Sequence, residues 1–174
     1  MSTLETTGMT TTELRALART LLADHDRWEP LVRANPERRQ YELLLKDENV
    51  VVWLISWMDG HDTGYHDHDF SAGALAVAQG SIREERLRVG GAPHSRVYEA
   101  GEILTFEGSD IHRVRHHSGQ PAVTIHVYSP PPQRSGAYVF DPNGSLQRRS
   151  VPANEELRPL PVYGTYESRQ TLAG

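Results

Sequence analysis

The sequence predicts an all-β domain, two sheets closed into a barrel, with a short helical segment in front of it. Three observations carry that expectation. Short runs rich in β-branched and aromatic residues recur at 41–45, 50–57, 74–78, 81–88, 96–98, 103–106, 113–116 and 122–128. Gly60, Gly64, Gly80, Gly90, Gly91, Gly101, Gly108 and Gly119 separate them with the turn rhythm of a sandwich or barrel. A single amphipathic helical pattern stands ahead of all of them.

That pattern begins at Thr10, with Glu13 three residues later, the spacing of a capping box. Leu14, Leu17, Ala18, Leu21 and Leu22 then recur at helical period, so 11–24 is expected to be a helix with one face on the barrel. Pro30 and Pro36 punctuate the next stretch, with a second short helix expected within 28–34. At the far end, Asn143-Gly144 between 138–140 and 146–151 reads as a hairpin turn. The expected organisation is one domain: a helical segment over 1–36, a barrel over 37–151 and an irregular proline-containing tail over 152–174.

A chain of 174 residues suits one well-cored domain. Its formal charge of −5 gives no electrostatic footprint for nucleic acid or an anionic membrane. With no cysteine, disulfides, zinc ribbons and a cysteine nucleophile are excluded, and a reducing compartment fits. No apolar run reaches the length of a signal peptide or of a membrane span, so a cytoplasmic protein, a monomer or small homo-oligomer, is expected.

Nine histidines is the unusual count, and their spacing carries chemistry. In an extended strand i and i+2 share a face, so His66 and His68 can reach one ion. Chance HxH pairs are common, and the surroundings give this one its value. Gly60 lies six residues before His66 and Gly80 twelve after His68, the glycine framing of the first cupin motif. The interval from Gly101 to His112 equals that of the second, with Glu107 and Ser109 in place of its usual proline and glycine. The fold expected is therefore a cupin, a double-stranded β-helix or jelly-roll barrel, in which distant histidines converge inside. The usual glutamate ligand after the HxH is missing. Asp69, next to His68, should point to the opposite strand face, leaving three neutral histidines and open positions on the metal.

In Thr124-Ile125-His126-Val127-Tyr128, alternation puts Thr124, His126 and Tyr128 on one face and Ile125 and Val127 on the other. Three polar residues on one face are costly unless they meet solvent or bond to one another. A Thr–His–Tyr relay, in which the hydroxyl fixes the imidazole tautomer and the imidazole bonds the phenol, satisfies them.

With His66-Asp67-His68, His112-Arg113-Val114 and His126-Val127-Tyr128-Ser129-Pro130-Pro131 in this order, the sequence resembles the cysteine dioxygenase family of thiol dioxygenases over roughly residues 37–132. The resemblance implies Fe(II) on His66, His68 and His112, and Thr124, His126 and Tyr128 as catalytic residues. It also implies a cis Ser129-Pro130 peptide, and a small thiol and O2 as reactants giving a sulfinic acid. Two positions depart from the family. Gly73 stands where some members carry a cysteine that crosslinks to the tyrosine. Tyr41 stands where the family places the arginine or glutamine that anchors a substrate carboxylate, so Arg39, with Tyr41, is the expected substrate-binding group, with Gln40 in its place if the register slips. Cysteine, a mercapto acid and a bulkier thiol such as a thiol-imidazole all remain open as substrates. The alternatives are a three-histidine cupin that cleaves a carbon–carbon bond and a non-catalytic metal- or ligand-binding cupin.

The other histidines are assigned to structure: His25 at the end of the first helix, His61 and His94 in turns, His116 and His117 on the strand after the third ligand. Trp53, Trp57, Phe106 and Phe140 are expected as core or barrel wall.

Overall fold

A computed structural model describes residues 8–161. Thr10 caps the first helix, α1 (Thr11–Ala23), in a complete capping box with Glu13. Such a cap stabilises a helix by about 1 kcal/mol. Leu14, Ala18 and Leu21 form its buried stripe. The second helix comes earlier and shorter than its pattern suggests: α2 (His25–Trp28) runs into a 3-10 turn, Glu29–Leu31. His25 accordingly opens α2 rather than closing α1, and its ring pairs with Glu29 at 2.6 Å. The buried Trp28 ring sets this position, since its indole donates to the Leu22 carbonyl at 3.2 Å.

Eleven strands come next: β1 (Gln40–Lys46), β2 (Val51–Trp57), β3 (His66–Asp67), β4 (Ala72–Gln79), β5 (Ser81–Arg86), β6 (His94–Glu99), β7 (Ile103–Phe106), β8 (His112–His116), β9 (Ala122–Ser129), β10 (Arg134–Phe140) and β11 (Leu146–Pro152). They form two antiparallel sheets. The first has the order β1-β2-β9-β4-β7 and the second β11-β10-β3-β8-β5-β6. The hairpin at Asn143-Gly144 joins β10 to β11 as expected, with Gly144 at φ 82°. Residues 162–174 of the expected tail lie outside the described residues.

The first sheet is buried on both faces. Its outer face packs Val52, Leu54, Ala74, Ala76, Val123, Ile125 and Val127 beneath Leu14, Ala18 and Leu21 of α1. The inner face packs Ile55, Trp57, Leu75, Val77, Leu104 and Phe106 against Ile82 and Val114 of the second sheet. Two apolar faces explain why β2 reads as a nearly unbroken hydrophobic run. They also decide the fate of the Thr124–His126–Tyr128 face: it points into the barrel and not to solvent, because α1 covers the other face. No helix among the described residues is long and apolar enough to cross a membrane.

Candidate metal centre

β3 and β8 pair at a single register, His66 opposite His112, so two imidazoles from segments far apart in the chain start side by side. Beyond the two-residue β3 the chain turns at Asp69, φ 53°, and the His68 ring comes round to the same point. The ring centroids of His66 and His68 are 4.7 Å apart, those of His66 and His112 4.6 Å. One nitrogen from each of the three lies within 4.8 Å of the others, and all three residues are buried. Asp69 does not join them. Its carboxylate pairs with Arg134 at 2.5 Å and with Arg148.

The remaining nitrogens fix the tautomers. His66 Nδ1 lies 3.0 Å from the Gly64 carbonyl, which can only accept, so Nδ1 carries the proton and Nε2 is bare. His112 Nδ1 lies 2.9 Å from Glu84 Oε1. Burial pushes the Glu84 carboxyl up, but bonds from His112 and Arg86 outweigh it, and it stays ionised as an acceptor. His112 Nε2 is therefore bare as well, and it faces His68 Nε2 at 3.2 Å. Two imidazoles sharing one ion at about 2.1 Å stand roughly 3 Å apart, so the spacing and the bare nitrogens fit a divalent metal. Burial first, and neighbouring imidazoles second, hold His66 and His68 well below the usual histidine range. Neutral rings are the form that binds a cation.

Beside this cluster runs the relay. Thr124 Oγ1 is 2.8 Å from His126 Nε2, and His126 Nδ1 is 2.9 Å from the Tyr128 hydroxyl. The Tyr128 ring packs on His68 with centroids 5.0 Å apart, and Phe106 stacks on His68 at 4.9 Å. Burial, then His112 and Arg39, lower the His126 pKa to about 3, so this ring is neutral too. Burial and the neighbouring Tyr41 push the Tyr128 phenol up against the opposing pull of Arg39. The Ser129–Pro130 peptide is cis.

Arg39 enters the barrel just before β1. It is 3% exposed, and its guanidinium lies over the Trp57 ring at 4.9 Å. Its Nε donates to the Tyr41 hydroxyl at 2.8 Å and Nη2 to the Leu157 carbonyl. Nη1 is buried with no partner among the described residues. Tyr41 thus holds Arg39 while keeping its own ring partly in solvent.

Four groups escape a reading of the sequence. Glu84 becomes visible only once β5 pairs with β8. Trp57, expected as barrel wall, is fully buried there but also donates to Thr124 Oγ1 at 2.8 Å. Glu156 and Leu157 reach Arg39 from the segment after β11. His116, by contrast, stays structural: its ring bonds the Gln120 carbonyl and Asp59.

A double-stranded β-helix with three buried histidines converging between its sheets defines a cupin with a candidate metal centre. Within that class the chain belongs to the cysteine dioxygenase type I family, whose profile matches residues 4–140. Cysteine dioxygenase type 1 of Danio rerio is 32% identical over 88 residues, covering 45% of this chain and 44% of that protein. The Bos taurus protein of the same name is 29% identical over 87 residues with the same coverage. The chain therefore matches somewhat under half the length of these curated relatives. Among solved structures, a cupin superfamily protein of Desulfitobacterium hafniense superposes with a TM-score of 0.52 at 13% identity, over 60% of this chain and 89% of that one. That likeness concerns the fold.

Proposed function

We propose that the chain is a non-heme iron(II) thiol dioxygenase that adds both atoms of O2 to a small thiol and releases a sulfinic acid. The observation that carries this is the Tyr128 hydroxyl, held at the end of a buried relay against the His68 ring. A site that only stored a metal has no use for an oriented phenol. Family membership supports the same reaction.

Iron(II), when bound, supplies the positions at which thiol and dioxygen meet and the route for electrons between them. His66, His68 and His112 contribute no negative charge, so the ion keeps its full attraction for a thiolate. The balance is RSH + O2 → RSO2H: sulfur gives up four electrons, dioxygen takes them, and no external reductant or protein nucleophile enters. Trp57 donates to Thr124 Oγ1 at 2.8 Å, and that hydroxyl's own proton goes to the nearer acceptor, His126 Nε2 at 2.8 Å rather than the Ile55 carbonyl at 3.4 Å. His126 then carries its proton on Nδ1 and donates to the Tyr128 oxygen. The Tyr128 O–H proton is left to point at the reacting sulfur and oxygen atoms. Arg39 Nη1 offers a cationic donor to a substrate carboxylate.

Iron-loaded protein in an oxygen electrode, given cysteine, 3-mercaptopropionate, cysteamine and a thiol-imidazole, tests this. Oxygen uptake with one of them and a product heavier by two oxygen atoms is the expected result. No uptake with any thiol removes the proposal, and uptake with a diketone instead assigns the site to carbon–carbon cleavage.

A further inference from the structure

The segment after β11 folds back onto the residue just ahead of β1 and ties up Arg39. The backbone N–H of Arg39 donates to Glu156 Oε1 at 3.1 Å, Arg39 Nε lies 3.1 Å from the same oxygen, and Nη2 reaches the Leu157 carbonyl. Farther along, Pro159 lies so close to Gly64 that a Cβ there would sit 2.8 Å from its Cα. Gly64 also has φ +67° and supplies the carbonyl that orients His66. One short strap therefore touches both the turn that sets a metal ligand and the cation beside the relay. On its outer side is a cleft of about 260 Å³ bordered by Pro36, Asp59, Glu156, Arg158 and Pro159, so solvent reaches the strap while Arg39 stays covered.

Arg39 has donors on three nitrogens. Tyr41 and Glu156 share the Nε proton, Leu157 takes one proton of Nη2, and Nη1 is the nitrogen without a partner among the described residues. Glu156 is also an anion in contact with the cation that a substrate carboxylate would use. Arg158 in turn binds its other oxygen, Oε2, at 2.6 and 2.9 Å.

We propose that Glu156 is a specificity-determining residue of this site: its carboxylate competes electrostatically with the substrate's for Arg39, and the strap takes up donors on two of the three guanidinium nitrogens. This rests on the thiol dioxygenase function proposed above. The site is thereby tuned to take an acidic thiol weakly and to tolerate a thiol with no carboxylate. Arg158 sets the strength of the competition by drawing charge away from Arg39.

The test is anaerobic calorimetry of iron(II)-loaded full-length protein with 3-mercaptopropionate and cysteamine, which share a thiol and differ in the charged end. Glu156→Gln keeps an oxygen for the Arg39 N–H and removes the charge. The ratio of the two affinities should move about threefold to tenfold toward the acid, the scale of one partly screened charge a few ångströms away. Arg158→Gln, on an exposed residue, should move the ratio the opposite way. A purely structural strap changes both affinities alike, and an unmoved ratio in both variants overturns the inference. If Glu156→Gln does not fold, as checked by its melting curve, the Arg158→Gln ratio decides alone. Wild-type protein that binds neither thiol and takes up no oxygen removes the function and this inference together. Wild-type turnover with an unmoved ratio removes only the inference.

Discussion

Trp57 Nε1 donates a hydrogen bond to Thr124 Oγ1 at 2.8 Å, inside the barrel and away from all solvent. The bond ties the apolar wall to the relay and fills one of the two lone pairs of the threonine oxygen. With Trp57→Phe, Thr124 Oγ1 loses the donor that fixes it, its hydroxyl can rotate, and the hold on the His126 ring and through it on the Tyr128 hydroxyl loosens. Turnover should fall about tenfold, the worth of one net hydrogen bond, with the apparent KM for thiol little changed. Steady-state oxygen uptake measures both, and an unaltered kcat removes Trp57 from the relay.

Tyr128→Phe removes the donor itself and leaves the ring packed on His68 and Phe106. Losing one oriented donor at a developing anion costs about 3 kcal/mol, so kcat should drop by roughly a hundredfold. Folding and metal content should be retained. Normal turnover in the Tyr128→Phe variant means that the relay does something other than aim a proton.

Much of this is legible in the sequence because it is local or periodic. The HxH pair, the glycine framing and the alternation in β9 each lie within a short stretch of chain, and alternation fixes a face once a strand is granted. The hidden part depends on pairing at long range. Glu84 sits in an unbroken run of charges, Arg83-Glu84-Glu85-Arg86, which suggests a solvated strand. Only the β5–β8 register turns Glu84 inward beneath His112. Arg39 is marked by its place near β1, but its tether comes from Glu156 and Leu157 at the other end of the chain. The second helix departs from its expected place because Pro30 draws the pattern toward 28–34, whereas burial of the Trp28 ring decides where the turn can sit.

Glu84 is 3% exposed and bonds His112 Nδ1 at 2.9 Å and Arg86 at 2.7 Å. A carboxylate on the far nitrogen of a histidine fixes its tautomer and strengthens it as a ligand. Losing such a partner typically costs about ten- to a hundredfold in metal affinity. Glu84→Gln should weaken Fe(II) or Co(II) binding by about that factor in a chelator competition. An affinity equal to wild type places the orienting force on His112 elsewhere.

Glu156 gives a pH signature on stability. Burial raises its carboxyl, but bonds from Arg158 and the Arg39 charge prevail and its pKa is lowered in the folded chain. A lowered folded value means stability that is present above the unfolded pKa of about 4.3 and is lost as pH falls through the folded value. Glu156→Gln should therefore melt below wild type at pH 7, by the equivalent of less than about 1 kcal/mol given the partial exposure of the pair, and the gap should close as the pH falls through the folded value. Melting temperatures on an acid series check it, and a gap that does not narrow as the pH falls points to lost packing rather than lost charge.

Gly73 lies opposite Tyr128 in the β4–β9 register, the place where some family members carry a cysteine bound to the tyrosine. The reason for glycine is on the same face. A Cβ at residue 73 would sit 2.2 Å from Phe106 Cζ and 2.4 Å from Cε2, inside the ring's own volume. Phe106 is 2% exposed and wedged against His68, His112 and Tyr128, so it has no room to retreat. Gly73→Cys should cost about 1–3 kcal/mol by overpacking and give a protein of lower melting temperature. Phe106→Leu, made on that background, trades a flat ring for a shorter branched chain and opens the space. The double variant should then be less destabilised than the sum of the two single changes, a non-additivity expected of side chains in direct contact. Additive losses mean that Gly73 and Phe106 do not share this space.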